Sequence, residues 1–299
     1  MKSKSRNYIF WILIIFLCPK GVLAQVGSAR TRIAGIIEQA KGHVGVAVMD
    51  LENLDTLTFN NNYRYPMQSV YKFPLALAVL SEIDKGILSL NQKIHLTKNE
   101  LHPNTWSPLR EKYPEGNIDI TLSELLKYTV AESDNNGCDI LFRIMGGPAK
   151  VNQYISSLGI KGMSIAATEE EMHKEWSVQY KNYSSPFAMV NLLYKFSRDS
   201  ILSTASKKFL WNIMTQNIFG SKRISGQLPA GTIVAHKTGS SDVNKGIAAA
   251  TNDAGIVTLP NGRHFVIVVF IADSPDNESA RDKTIAEIAK AVWDVYSTN

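Results

Sequence analysis

The hydrophobic pattern of this 299-residue chain changes its period twice, and this restricts the possible folds more than any other feature of the sequence. Two short segments near the start have the apolar character of β-strands and are joined by a tight turn at 52–54. From about residue 69 to 215, apolar residues instead recur at the i, i+3, i+4 spacing of helices. The strand pattern then returns after residue 230. The predicted strands are 44–51, 55–60, 232–239, 247–260 and 263–273.

This order predicts an α+β fold with a five-stranded, mainly antiparallel sheet, in which the first two strands lie beside the last three. Helical patterns at 28–41 and 279–296 place a terminal helix at each end of the chain, and both are expected on one face of the sheet. The predicted central helices are 69–84, 121–128, 134–145, 149–157, 186–198 and 203–215. We expect residues 25–68 and 216–299 to form a discontinuous α/β lobe and residues 69–215 an all-α lobe. A groove between the lobes is the expected place for an active site.

The first 24 residues are typical of a secretory signal peptide. A basic start is followed by the apolar run 8–17 and by the small-residue cleavage site at 22–24, so we expect the mature protein to begin at Gln25 in the periplasm. The apolar run is too short to span a bilayer comfortably, and no stable membrane anchor is expected. Four of the five excess positive charges lie in this segment, which leaves about +1 for the mature chain.

Composition argues against several kinds of partner. No basic tract with interleaved aromatic residues is present, so nucleic acid is not an expected partner. The six histidines lack the spacing of metal ligands, and we expect neither a metal nor another cofactor. Cys138 is the only cysteine of the mature chain, which rules out an intramolecular disulfide, and a small buried packing residue is the expected interpretation. We expect a monomer that acts on a small molecule.

The stretch SVYK, residues 69–72, places a serine and a lysine one helical turn apart. Two interpretations compete. The pair could be the solvated first turn of an ordinary helix, or a nucleophilic hydroxyl beside an amine that takes its proton. About one S-x-x-K match is expected by chance in a chain of this length, so the motif alone does not decide.

Two further motifs follow in the expected order. SDN stands at 133–135, at the start of a predicted helix, and KTG stands at 237–239 on a predicted strand. Together with SVYK they form the set known from class A β-lactamases and penicillin-binding proteins. The sequence resembles that superfamily over essentially the whole mature chain, and the resemblance implies the β-lactamase/transpeptidase-like fold.

The resemblance implies a role for each residue of these motifs. Ser69 would be the nucleophile and Lys72 its base, with a pKa lowered by burial and nearby cations. Lys237 would be such a cation and would bind a substrate carboxylate. Ser133 would pass a proton to the leaving nitrogen, and Asn135 would bind a substrate amide and Lys72.

Residues around KTG would bind the rest of the substrate. Thr238, Gly239 and Ser240 belong to the implied substrate-binding strand, in which the hydroxyls of Thr238 and Ser240 face the carboxylate. The backbone N–H groups of Ser69 and Ser240 would form an oxyanion hole.

The resemblance also implies a second base, which activates the water that releases the acyl group. The stretch ATEEEMHKEW, residues 167–176, has the spacing after SDN of the class A Ω loop, and this alignment makes Glu169 the base. A solvated acidic run is the competing interpretation, and Glu170 or Glu171 could be the aligned residue instead.

Three other residues fall at positions that the family uses. Trp106 would lie at the mouth of the groove, or else pack as a surface aromatic. Arg223, six residues before Pro229, would assist Lys237, or else be an ordinary helix-end arginine. His173 replaces the asparagine that usually follows the glutamate by four residues, so we expect it to change how the water is held.

The chain also departs from the common class A pattern. No arginine lies between Arg143 and Arg198, and the positions of the usual arginine–aspartate clamp of the Ω loop carry Ala167 and Asn182. Gln68 stands where carbapenemases of this class have a disulfide cysteine. These features resemble a divergent branch of cephalosporinases and extended-spectrum enzymes, and a refolded Ω loop could admit bulky cephalosporin side chains.

The sequence therefore predicts a serine β-lactamase that hydrolyses penicillins or cephalosporins through an acyl-enzyme and confers antibiotic resistance. The alternatives are a D,D-peptidase or a β-lactam sensor that stays acylated. Both would share the three motifs without needing Glu169. The preferred substrate and the identity of the acylation base, Lys72 or Glu169, stay open at this level.

Overall fold

The computed structural model describes residues 20–298, with side chains from residue 27 onward. The basic start, the apolar run and Cys18 of the predicted signal peptide lie outside these residues. Within residues 20–298, no helix combines the length and the apolar character needed to cross a membrane.

One antiparallel sheet holds the N- and C-terminal parts of the chain together. Its strand order is β2-β1-β11-β10-β8, with the two-residue β9 added to the edge of β10. The predicted five strands and their antiparallel pairing are therefore present, and β9 is a sixth strand that the sequence pattern did not indicate. The strands are β1 His43–Asp50, β2 Thr56–Phe59, β8 Val234–Ser240, β9 Val243–Asn244, β10 Ile247–Thr258 and β11 His264–Ser274.

The sheet is buried on both faces because helices cover each of them. On one face, the helices α1 (Lys20–Gln39) and α10 (Glu278–Tyr296) contact each other and enclose apolar strand residues such as Ile267 and Val269. On the other face, residues such as Val268 and Phe270 join the core of the helical part. The continuous burial of β10 and β11 explains why their sequences lack strict alternation.

The central helices pack around α2, which spans Lys72–Asp84 and is buried over its first ten residues. Its sequence KFPLALAVLS is apolar on all sides, as expected for a helix enclosed by others. Pro74 is tolerated because it lies in the first turn. The remaining helices are α3 Pro108–Lys112, α4 Leu122–Ala131, α5 Asn135–Met145, α6 Pro148–Ser157, α7 Glu169–Lys174, α8 Pro186–Arg198 and α9 Thr204–Thr215.

Several short elements between residues 65 and 215 are not visible as sequence periodicity. A hairpin-like pair joins β4 (Lys93–Leu96) to β5 (Ile118–Thr121), and the two-residue strands β3 (Tyr65–Pro66), β6 (Met163–Ser164) and β7 (Tyr183–Ser184) form a small second sheet. Strands this short give too few residues for a period to be recognised.

Candidate active site

Ser69 lies in a single turn of 3₁₀ helix, Gln68–Tyr71, that leads directly into α2. The α-helix thus begins at Lys72 and not at Ser69 as the periodicity predicted. Residues i and i+3 eclipse each other in a 3₁₀ turn, so this geometry places Ser69 and Lys72 on one face. The nitrogen Nζ of Lys72 donates to Ser69 Oγ at 3.0 Å.

The backbone around this turn is held by the sheet. Gln68 has a φ of +47°, an unfavourable conformation for a residue with a side chain. Asn252, fully buried on β10, donates to the carbonyls of Pro66 and Met67 at 2.8 and 3.1 Å. Gly239 of β8 approaches so closely that a Cβ there would lie 2.4 Å from the Met67 carbonyl oxygen. The glycine of KTG is therefore required for the nucleophile turn to lie against β8.

Lys72 is completely buried and contacts groups from three different segments. Besides Ser69 it donates to the backbone carbonyl of Ser133 at 2.8 Å and to Oδ1 of Asn135. Its fourth partner is Glu169, whose Oε1 lies 2.9 Å from Nζ. The lysine thus joins the nucleophile, the SDN motif and the loop that carries Glu169.

The SDN motif is positioned by its middle residue. Asp134 is fully buried and accepts N–H bonds from Gly137 and Leu109, both at 2.7 Å, and a hydroxyl bond from Ser107. The first of these bonds caps α5, which begins at Asn135. Burial is the main reason that the pKa of Asp134 is raised above its usual value.

Ser133 faces the lysine of KTG across the groove. Ser133 has a φ of +57°, and its Oγ accepts from Nζ of Lys237 at 2.9 Å. Lys237 is completely buried, and its pKa lies well below the usual value, first because of burial and then because of the positive charge of Lys72. Antiparallel pairing of β8 with β10 places Lys237 opposite Ala254.

Glu169 is the first residue of the short helix α7, and only 9% of it is exposed. A polar side chain outside that helix holds its first residues in place. The carboxylate of Asp139, on α5, accepts the backbone N–H groups of Glu169 and Glu170 at 2.8 and 2.9 Å. Glu170 and Glu171, the alternative alignments, point away from Lys72: Glu170 pairs with Lys174, and Glu171 caps α7 through Thr168.

Asn182 closes the neck of this loop, the Ω segment, defined here as residues 167–182. Its Oδ1 accepts from the N–H groups of Ala166 and Ala167 at 2.7 and 3.0 Å, and its Nδ2 donates to the Ala167 carbonyl at 2.8 Å. Asn182 is completely buried. A single amide therefore joins the two ends of the segment where the arginine–aspartate pair is absent from the sequence.

The predicted substrate-binding residues other than the completely buried Lys237 line two adjoining halves of one groove. The first half, about 590 Å³, includes Ser69, Ser133, Thr238, Gly239 and Arg223. The second half, also about 590 Å³, lies against the Ω segment and includes Glu169 and the exposed His173. Trp106, Asn135 and Ser240 border both halves.

Trp106 and Asn135 are linked through the loop before α3. The indole of Trp106 is 47% exposed, donates to the Glu132 carbonyl at 2.9 Å, and meets Phe219 edge-on at 5.6 Å between ring centroids. Asn135 donates its N–H to the Trp106 carbonyl and its Nδ2 to Thr105 Oγ1. Trp106 thus lies at the mouth of the groove, with its outer face open.

Arg223 is buried at the far end of the first half. Its Nε donates to Asp282 of α10 at 2.7 Å, and its Nη2 donates to Ser240 Oγ at 2.7 Å. Further bonds reach the carbonyls of Gly239 and Asn252. The guanidinium therefore fixes Ser240 at the end of β8 and adds positive charge near Lys237.

Asp139 and Asn252 were not assigned a role from the sequence, and neither was the part that Asn182 plays in joining the ends of the Ω segment. Asp139 and Asn252 each interrupt an apolar segment, in CDILF and AAATNDAGI, and a polar residue within a buried pattern was the available signal. The hydrogen-bond partners of Asp139 and Asn252 lie 30 to more than 180 residues away in the chain, so the sequence did not identify them.

The raised pKa of Asp139 leads to a prediction about stability. Burial and the charge of Glu169 raise this pKa from 3.8 to about 7. Between those values the unfolded chain releases the proton while the folded chain keeps it, so the free energy of unfolding falls as pH rises and levels off above about 7. Relative to Asp139→Asn, which cannot titrate, the parent should lose a few kcal/mol across this window, since one pKa unit corresponds to about 1.4 kcal/mol.

Chemical denaturation of both proteins at several pH values checks this expectation. A difference between the two free energies of unfolding that stays constant with pH would contradict it.

Among the described residues 20–298, no group of three or more His, Cys, Asp or Glu side chains is arranged to hold a metal ion. Cys138, the free cysteine of this part of the chain, is buried beside Tyr71, and burial raises the pKa of its thiol. Its buried position on α5 agrees with a packing residue.

The fold and the arrangement of serine, lysine and glutamate define the class of serine enzymes that the three motifs indicated. Comparisons with known proteins identify the family. The model of the β-lactamase enzyme family matches residues 28–296, and the chain belongs to that family.

Individual relatives cover nearly the whole chain. The β-lactamase VEB-1 of Pseudomonas aeruginosa is 47% identical over 275 residues, which are 91% of this chain and 92% of that protein. The crystal structure of the TLA-1 extended-spectrum β-lactamase has a TM-score of 0.89 at 54% identity and covers 93% of this chain and 100% of that one. A class A β-lactamase from Bacteroides cellulosilyticus also has a TM-score of 0.89, at 42% identity, covering 92% of this chain and 99% of that one. The recognition made from the motifs and the expected α+β fold are confirmed.

Proposed function

We propose that this protein is a class A serine β-lactamase that opens the β-lactam ring by hydrolysis through an acyl-enzyme and thereby confers antibiotic resistance. The observation that carries the proposal is the position of Lys72 Nζ, 3.0 Å from Ser69 Oγ and 2.9 Å from Glu169 Oε1. A single buried amine thus lies between a nucleophile and a carboxylate, which an enzyme that both forms and releases an acyl group requires.

Acylation begins when the Ser69 hydroxyl attacks the lactam carbonyl. Its proton goes to Lys72 or to Glu169, and the 2.9 Å contact between those two lets a proton move from one to the other. The backbone N–H groups of Ser69 and Ser240 stabilise the oxyanion. The C–N bond then breaks, and Ser133 protonates the ring nitrogen.

Lys237 has two functions in this step. A substrate carboxylate favours the protonated form of Lys237, and this ammonium, next to Ser133 Oγ at 2.9 Å, makes the hydroxyl a better proton donor. Thr238, Ser240 and the nearby Arg223 complete the carboxylate-binding side, while Asn135 binds the substrate amide.

Deacylation requires a water molecule between Glu169 and the ester carbon. Glu169 takes a proton from that water, the hydroxide attacks the ester carbonyl, and Ser69 leaves with a proton returned through Lys72. No metal or organic cofactor takes part in these steps. His173 replaces the usual asparagine on α7, and we propose that it borders the side-chain pocket without holding this water, because it is exposed.

The groove supports a preference for bulky cephalosporins. Its second half, bordered by the Ω segment and by Trp106, offers about 590 Å³ beside Glu169. We propose that this volume takes the acyl side chain of the substrate, with Trp106 stacking at the mouth.

We also propose three further properties of the protein that the sequence pattern indicates. These are cleavage after Ala24, action in the periplasm as a monomer, and the division into the lobes 25–68 with 216–299 and 69–215. The hydrogen bond between Lys237 and Ser133, which belong to different proposed lobes, supports a site between them.

Steady-state hydrolysis of a penicillin, an early cephalosporin, an oxyimino-cephalosporin and a carbapenem tests the proposed function. We expect turnover of the penicillin and of both cephalosporins and little turnover of the carbapenem. Stoichiometric acylation without turnover on all four would overturn the proposal and favour a sensor or a D,D-peptidase.

A further inference from the structure

A strained residue lies near the end of β11. Asp273 has a φ of +51° although it has a side chain, and it lies between Ala272 and Ser274, which pair with β10, without a paired residue of its own. Such a conformation persists only where surrounding contacts stabilise it, and it is often found at positions with a function.

The contacts of Asp273 are two tyrosine hydroxyls from different parts of the chain. Tyr63 donates to Oδ2 at 2.7 Å, and Tyr180 donates to Oδ1 at 2.6 Å. Tyr63 precedes β3 and stacks on His43 of β1, with 4.3 Å between ring centroids. Tyr180 belongs to the 3₁₀ turn Trp176–Lys181, which is the second half of the Ω segment.

Both phenols remain protonated donors at neutral pH. Burial and the neighbouring carboxylate raise the pKa of Tyr63 to about 12, and the same causes raise the pKa of Tyr180 above its usual value. The two hydrogen bonds are therefore present under the conditions in which the enzyme would work.

The hydrogen bond of Tyr180 links the Ω segment to the six-stranded sheet, which the bonds of Asn182 and Asp139 do not. Asn182 joins the two ends of the segment to each other, and Asp139 joins its first half to the helix α5. Tyr180 joins its second half to β11, a strand of the sheet that also carries Lys237 and Ser240. The neighbouring Gln179 bonds to Gln68, next to the nucleophile, so this half of the segment faces the reacting groups.

We propose that Tyr180 and Asp273 are positioning residues for deacylation, which fix the Ω segment against the sheet and thereby hold Glu169 at its distance from the acyl-serine. The inference rests on the proposed function. Its effect is expected on the second step, because contacts with Ser69 Oγ, Asn135 and the Ser133 carbonyl keep Lys72 in place as a base for the first.

Kinetic measurements can distinguish an effect on acylation from an effect on deacylation. For an acyl-enzyme mechanism, kcat/KM reports acylation, whereas the decay of the isolated acyl-enzyme reports deacylation. In Tyr180→Phe the decay should slow by about tenfold, because small displacements of a catalytic base have large effects on rate. The ratio kcat/KM should stay within about twofold of the parent, and kcat and KM should fall together.

Matched variants distinguish positioning from a general loss of structure. Tyr63→Phe removes the other hydrogen bond of the same carboxylate without touching the Ω segment, and its acyl-enzyme should decay at the parent rate. Asp273→Gly removes the carboxylate at a φ that glycine accepts without strain. Asp273→Gly should reproduce the slow decay of Tyr180→Phe. The variant that combines Tyr180→Phe with Asp273→Gly should decay no more slowly than either single variant.

Acyl-enzyme decay is followed by intact-protein mass spectrometry after mixing with a cephalosporin. Parent-like decay in Tyr180→Phe, equal slowing in Tyr63→Phe, or a fall in kcat/KM that matches the fall in decay would each overturn the inference. Absence of decay in the parent itself would instead contradict the proposed function.

Discussion

Replacing Glu169 with alanine should convert the protein from an enzyme into a trap that keeps its acyl group. The attack by Ser69 still has Lys72 as a base, but no carboxylate remains to activate the water, so kcat should fall by about 10³-fold. Mass spectrometry after mixing with a penicillin or a cephalosporin should show the protein carrying one covalent substrate. Glu169→Gln keeps the shape of the side chain and should behave in the same way.

The neighbouring glutamates provide the matched control. Glu170 and Glu171 were alternative assignments from the sequence, and the structure places both away from Lys72. Glu170→Ala should hydrolyse substrate at nearly the parent rate. If Glu169→Ala turned over like the parent, or if Glu170→Ala trapped the acyl group, Glu169 would lose its assigned role.

The second large effect is expected at Ser69. Without its hydroxyl no ester can form, and Ser69→Ala should lose about 10⁵- to 10⁶-fold in kcat, as is typical when a catalytic nucleophile is removed. No mass increase should appear with any substrate. Binding should persist, because Lys237, Thr238 and Ser240 remain in place.

Tight binding without a covalent adduct is the informative result for Ser69→Ala. Its melting temperature should match that of the parent, which excludes unfolding as the cause of the lost activity. A covalent adduct on the alanine variant would show that another residue is acylated, and the assignment of the three motifs would have to be changed.

The sequence predicted the architecture well because the sheet and the long helices have distinct hydrophobic periods. Most long elements begin and end within about two residues of their predicted bounds, and α1, which begins eight residues before the predicted helix, is the main exception. The elements that the sequence missed are short, such as β4, β5, β9 and α7, in which two to six residues cannot show a period. The start of α2 was also misplaced, because a 3₁₀ turn and an α-helix give the same spacing of apolar residues over one turn.

The motif residues could be found from sequence because each motif is short and its members are neighbours in the chain. Ser69 with Lys72, Ser133 with Asn135, and Lys237 with Gly239 are each held within one turn or one strand. Glu169 was found from its spacing after SDN together with the family resemblance, and its contact with Lys72 supports that assignment.

The sequence by itself therefore determined the family, the fold class and the chemical groups available for catalysis, since these depend on local pattern and residue type. The tertiary structure alone decided how the groups are held: Lys72 among three segments, Asp139 under Glu169, Asn182 across the neck of the Ω segment, and Asp273 bonded to Tyr180. These contacts join residues 15 to more than 90 positions apart. Hydrogen bonds over such separations depend on how the elements pack, and no local pattern in the chain encodes them.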